Sequence, residues 1–112
     1  ADAVKALAMG ADAVALASAA LMAAGCQQYR ICDTGRCPVG ITTQDPELRA
    51  RLKIDLSAER VENCFNALTH ELADFARLTG HDDVHDLGSH DLRTTSTEIE
   101  NFTSIAHVGE TE

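Results

Sequence analysis

Three of the chain's four cysteines fall inside the stretch GCQQYRICDTGRCPVG, residues 25–40. The spacing is Cys26, five residues, Cys32, four residues, Cys37, then Pro38. Glycines at 25, 35 and 40 and the proline punctuate a segment with neither a helical nor a strand period. Any fold this chain adopts must therefore carry an irregular, thiol-rich loop. Such a backbone can curl around a ligand where a helix cannot, so three thiols can converge on one centre.

The flanking segments are patterned. Residues 2–9, DAVKALAM, place Val4, Leu7 and Ala8 on one face, with Gly10 as a C-cap. Residues 11–18, ADAVALAS, form a short apolar run between Asp12 and Ser18 that fits a buried parallel strand. SAALMAAG then starts at Ser18 as an N-cap and stops at Gly25. Helix, strand and helix in so short a span predict an α/β fold. Beyond the loop, Asp45 and Pro46 open a short helix, PELRARL, in the N-cap and first helical positions. A long helix is expected over residues 57–79, with Val61, Cys64, Phe65, Leu68, Leu72 and Phe75 on one stripe and Gly80 ending it. A turn and helix, VHDLGSHDL, follows. Residues 94–112 read as an acidic tail with Ile99, Phe102 and Ile105 scattered through it. The expected segments are 1–25, 26–44, 45–93 and 94–112.

With 112 residues there is room for one small domain. Alanine dominates, aromatics make up 4% and tryptophan is absent, so the core is thin and leans on a cofactor, a partner or further sequence. The chain reads as a piece of a longer polypeptide. Its net charge of −9 comes wholly from residues 57–112, where three Lys/Arg face twelve Asp/Glu; residues 1–56 balance at six each. That distribution argues against nucleic acid, whose affinity rests on cationic side chains. The longest apolar run, residues 13–26, falls short of the roughly 20 needed for a membrane span, and Asp2 and Asp12 stand where a signal peptide carries positive charge. A cytoplasmic setting is expected, in which clustered cysteines serve as metal or redox ligands rather than disulfides.

Thiolates favour zinc, copper(I) and iron–sulfur clusters. Structural zinc sites usually pair close cysteines with a second Cys/His pair, and none follows here at that distance. Wider spacings ending in Cys-Pro fit an iron–sulfur cluster better, and three ligands fit a [3Fe–4S] centre. Free buried thiols and a zinc site completed by a histidine are the alternatives. Cys64 is expected to pack on the apolar stripe, or else to serve as a fourth ligand. His81, His85 and His90 with Asp82, Asp83, Asp86 and Asp91 form either a metal patch, with His81 and His85 four apart, or a surface turn capped by its aspartates. His70 lies off the stripe and is expected to be exposed. Arg30 and Arg36 either offset cluster charge or are simply solvated.

Residues 10–52, GADAVALASAALMAAGCQQYRICDTGRCPVGITTQDPELRARL, resemble the end of the FMN-binding synthase domain of the glutamate synthase family. That family has a (β/α)8 barrel whose last strand and helix lead into a C-x5-C-x4-C-P-V-G loop followed by TQDPELR. VHDLGSHDL also resembles its downstream segment. The resemblance implies that this is the last helix–strand–helix of such a barrel, then the cysteine loop and a mostly α-helical extension. It implies that Cys26, Cys32 and Cys37 ligate a [3Fe–4S] cluster.

The reaction implied is reductive transfer of the glutamine amide nitrogen to 2-oxoglutarate, giving two glutamates. Reduced FMN reduces 2-iminoglutarate, and the cluster relays electrons to FMN. Implied partners are the remainder of the synthase barrel, a glutamine amidotransferase domain or subunit, and an electron-donor subunit or ferredoxin. Ala17 and Ser18 stand where the family usually has Gly-Thr or Gly-Ser at the FMN phosphate. Ser18 keeps the hydroxyl; Ala17 departs from the pattern, and a plain N-cap role for Ser18 fits equally. Most of the flavin site and both substrate sites lie outside the residues present, so no catalysis by the chain alone is expected. The competing class is a non-enzymatic zinc-binding or interaction module.

Overall fold

The computed structural model describes residues 1–109. It contains five α-helices among those residues: α1 (Asp2–Ala8), α2 (Ser18–Ala23), α3 (Pro46–Arg49), α4 (Ile54–Leu78) and α5 (Thr97–Phe102). Short 3-10 turns occur at Cys32–Thr34, Val84–Asp86 and Ser89–Asp91. The chain divides into two compact units, one of Ala1–Ala15 with the residues from Thr69 onward, the other Leu16–Leu68.

In the first unit, α1 buries Ala3, Val4, Leu7 and Ala8. Val4 and Ala8 meet Leu87, and Leu72, Phe75, Val84 and Leu92 pack around them. Alanine on α1 lets this small core close without large side chains. The acidic tail segment is folded where it is described. Ser96 caps α5, and Thr94 is buried and bridges His107, donating its N–H to Ala106 (3.0 Å) while its carbonyl accepts from Val108 (2.9 Å). Residues 110–112 of that segment lie outside the described residues.

The expected strand is not formed. Residues 11–17 carry no ladder, and Val14 and Leu16 are exposed. A strand is completed by hydrogen bonds to neighbouring strands. The β pairings among the described residues are two isolated bridges, Arg36 with Thr43 and Thr94 with His107. The described residues are thus mostly helical, in line with the helical part of the expected fragment.

Helix starts and stops follow the sequence more closely. The Asp45 carboxylate accepts from the N–H groups of Glu47 (2.8 Å) and Leu48 (3.1 Å), with Pro46 in the first turn of α3. By contrast, α4 starts three residues before Ser57, with Asp55 favourably placed in its first turn. Its stripe is only partly covered: Leu68, Leu72 and Phe75 are half-buried, whereas Cys64 and Phe65 are exposed, which corrects the packing role expected of Cys64.

Three helices end on one device. After α1, the N–H of Gly10 bonds to Leu7 and that of Ala11 to Ala6; after α2, Gly25 bonds to Met22 and Cys26 to Leu21; after α4, Gly80 bonds to Arg77 and His81 to Ala76. Each is a Schellman motif with glycine at positive φ: +98°, +112° and +84°. Two of these exits deliver a potential metal ligand as the next residue, Cys26 and His81.

Candidate metal-binding loop

The sequence from Gly25 to Gly40 builds a cup in the second unit. The α2 exit sets Cys26, whose sulfur accepts the N–H of Gln28 at 3.4 Å. Two non-glycine residues follow in left-handed conformation, Gln28 (φ 55°) and Arg30 (φ 56°). Each costs about 1–2 kcal/mol relative to a right-handed backbone. Cys32 opens the 3-10 turn, closed by Gly35 at φ 66° and by the Thr34 hydroxyl donating to Ile31 O at 2.7 Å. Cys26, Cys32 and Cys37 then line one pocket of about 260 Å³ whose wall includes Leu21, Ile31 and Val39. Cys32 is exposed, Cys26 is half-buried and Cys37 is buried.

Cys37 has the most developed surroundings. The backbone N–H of Thr42 does most to lower its thiol pKa, with those of Ile41 and Val39 and the Thr42 hydroxyl adding to it. Burial opposes them, and the result is about 7 against an ordinary 9.0. Pro38 starts this turn without an N–H of its own, and the Arg51 guanidinium fastens it by donating to Pro38 O at 3.1 Å. Gly40 is required twice over. Its φ is +84°, and an added Cβ would stand 2.5 Å from Leu48 O and 3.1 Å from Leu52 N. The cup is therefore braced against the residues around α3.

The other expected site residues are placed as follows. Ser18 is the first residue of α2 rather than its N-cap; Ala17 takes the N-cap position without a side-chain bond, because its φ and ψ start the turn there. Ser18 also lines the cysteine pocket, and Arg30 does too. Arg36 is exposed and pairs by a bridge with Thr43. Cys64 does not line the pocket.

The His/Asp patch is divided by the fold. His85 pairs with Asp83, Nδ1 to Oδ1 at 2.9 Å, and does not join His81, because no helix spans 81–85. Asp83 and Asp91 cap the two 3-10 turns, at His85 N–H and Gly88 N–H. His70 is exposed. What sequence reasoning missed is the left-handed pair Gln28 and Arg30, which no local residue preference marks, and the meeting of His81 with His90 and Asp91.

The family model describing a conserved region in glutamate synthase matches residues 1–82. This chain belongs to the glutamate synthase family. An archaeal glutamate synthase [NADPH] of Methanocaldococcus jannaschii is 44% identical over 78% of this chain and 17% of its own length. A glutamate synthase large subunit-like protein of Rhizobium meliloti is 36% identical over 97% of this chain and 28% of its own. A ferredoxin-dependent glutamate synthase of Pyropia yezoensis is 35% identical over 88% of this chain and 6% of its own. The chain thus spans well under a third of the length of these relatives. No solved structure matches it. Among the described residues no helix is long and apolar enough to cross a membrane.

Proposed function

We propose that this chain is the cluster-bearing segment of a glutamate synthase, with Cys26, Cys32 and Cys37 as the protein ligands of a [3Fe–4S] centre. The observation that carries the proposal is that all three thiols line one pocket, in a loop of the family's C-x5-C-x4-C-P-V-G form. The donor chemistry fits. Three soft sulfurs suit iron and sulfide, and the N–H groups beside Cys37 favour its thiolate form, the state a ligand must adopt. The wide cysteine spacing ending in Cys37-Pro38 also suits a cluster better than a single zinc ion.

In this reading the segment passes electrons between a donor subunit or ferredoxin and FMN, in an enzyme forming glutamate from 2-oxoglutarate and glutamine-derived ammonia in the cytoplasm. The cluster supplies one-electron transfer when bound; the protein's part is to hold the thiols, shield Cys37 and orient N–H groups toward sulfur. FMN is bound mostly by residues outside this chain, with Ala17 and Ser18 at its phosphate end. The unpaired apolar run at residues 11–17 is the last strand of the synthase barrel, completed by the remainder of that barrel. The segments 1–25, 26–44, 45–93 and 94–112 are then barrel end, cluster loop, helical extension and acidic tail. Alone, the chain forms no glutamate.

Anaerobic reconstitution with iron and sulfide, followed by EPR and metal analysis, tests this. The expected result is a [3Fe–4S]-type signal with matching iron and sulfide, lost in Cys32→Ser. Stoichiometric zinc in place of iron, bound through the same thiols, would overturn it in favour of a structural zinc module.

A further inference from the structure

We propose a second metal site, independent of the cysteine loop: His81, His90 and Asp91 form a binding site for a divalent ion of the zinc type. The three side chains offer two imidazole nitrogens and a carboxylate oxygen that all lie within 4.8 Å of one another. His81 Nε2 stands 2.9 Å and His90 Nε2 3.4 Å from the same oxygen, Asp91 Oδ2. Donors bound to one tetrahedral ion at about 2.0–2.2 Å are roughly 3.3–3.5 Å apart, so small side-chain rotations complete the set.

Hydrogen bonding alone accounts poorly for this convergence. Asp91 Oδ2 also accepts the Gly88 N–H at 2.9 Å, so three nitrogens crowd one carboxylate oxygen. A cation set between the imidazoles and the carboxylate relieves that crowding, and the Gly88 bond becomes the outer contact that orients the ligand. The backbone holds the other ligands. His81 is fixed by the α4 exit, its N–H donating to Ala76 O at 2.8 Å, and His90 lies within the Ser89–Asp91 turn. The two rings meet edge to face, centroids 5.9 Å apart. The Asp91 side chain is 10% exposed and that of His81 21%, whereas His90 is 71% exposed, so the fourth position opens to water on the His90 side. Two neutral imidazoles and a carboxylate are a borderline donor set that suits zinc, cobalt or nickel over calcium or magnesium. His85 stands apart, its ring held by Asp83 and by the carbonyl of Asp12 at 3.3 Å. A bound ion would tie the end of α4 to the turn at residues 89–91.

The test is a Zn2+ titration of the full chain carrying C26S, C32S and C37S, read by calorimetry and by ring 15N shifts of the histidines. One equivalent should bind, moving the His81 and His90 signals and leaving those of His70, His85 and His107 in place. His90→Gln, at a largely exposed side chain, should weaken binding by at least the roughly 10–100-fold seen for outer-sphere partners. His85→Gln should leave it unchanged. Co2+ added to the same triple-serine chain gives a second readout: d–d bands, without a thiolate charge-transfer band, that are lost in His90→Gln. Unmoved His81 and His90 signals, or equal weakening by His85→Gln, would overturn the site while leaving the cysteine-loop reading untouched.

Discussion

The Cys37 thiol offers the sharpest physical test of the cup. Its pKa falls from 9.0 to about 7, first through the Thr42 N–H. At pH 8 a thiol of pKa 7 is roughly nine-tenths thiolate, and one of pKa 9 roughly one-tenth. In the metal-free chain under reducing, anaerobic conditions, thiolate absorbance near 240 nm should rise with pH. Subtracting the curve of Cys37→Ser should isolate one proton with a midpoint near 7. Thr42→Pro deletes the N–H donor and should move that midpoint up toward 9, whereas Thr42→Val removes only the hydroxyl and should move it slightly. The same shift is a stability statement. Because the folded pKa is depressed, its contribution is complete above pH 9, shrinks as pH falls, and is lost as pH drops through 7. The two-unit depression corresponds to at most about 2.7 kcal/mol, and a surface loop should realise about half. Urea unfolding at pH 6 and pH 9, compared between the parent chain and Cys37→Ser, measures it. A difference midpoint at 8.5 or above would refute the idea that the turn's N–H groups stabilise the thiolate.

Two further outcomes follow from the geometry. Gly40→Ala combines a left-handed backbone with a Cβ 2.5 Å from Leu48 O, and should cost about 2–4 kcal/mol, measurable as a lower urea midpoint with loss of the Cys37 titration at 7. The His85 pKa lies above its ordinary 6.5, chiefly through the Asp83 carboxylate. Asp83→Asn should bring it back toward 6.5 in an NMR titration. The stabilisation from that pair is present below pH 6.5 and disappears as pH rises through the elevated pKa.

The parts of this fold that were legible in the sequence are those decided within a few residues. Gly10, Gly25 and Gly80 stop helices where their positions said they would, and Asp45 with Pro46 starts α3 as read. The Asp83 cap likewise follows from an aspartate just ahead of a short turn, while Asp91 reaches back from the end of its turn to the Gly88 N–H. What was not legible depended on distant neighbours. ADAVALAS has the composition of a buried strand, but composition supplies no pairing partner, and no ladder forms. The α4 stripe has a clear helical period, yet period alone does not say how much of it is covered, and Phe65 remains 42% exposed. His81 and His85 have the right spacing for a shared helical face, but Gly80 ends α4 first and hands His81 to His90 instead. The thiols were legible as a group; the left-handed Gln28 and Arg30 that shape their pocket were not.

The α2 exit has a consequence for the order of assembly. Cys26 takes its place from two backbone bonds closed within the preceding five residues, and the other two thiols of the loop and the donors to Cys37 are all supplied by residue 42. Rings this small need little chain entropy to close, and doubling a loop's length adds only about 0.6 kcal/mol. Contacts so close along the chain form on submicrosecond to microsecond timescales, whereas a ribosome adds roughly 5–20 residues each second. The contacts that shape the thiol loop therefore close ahead of those joining residues far apart in the sequence.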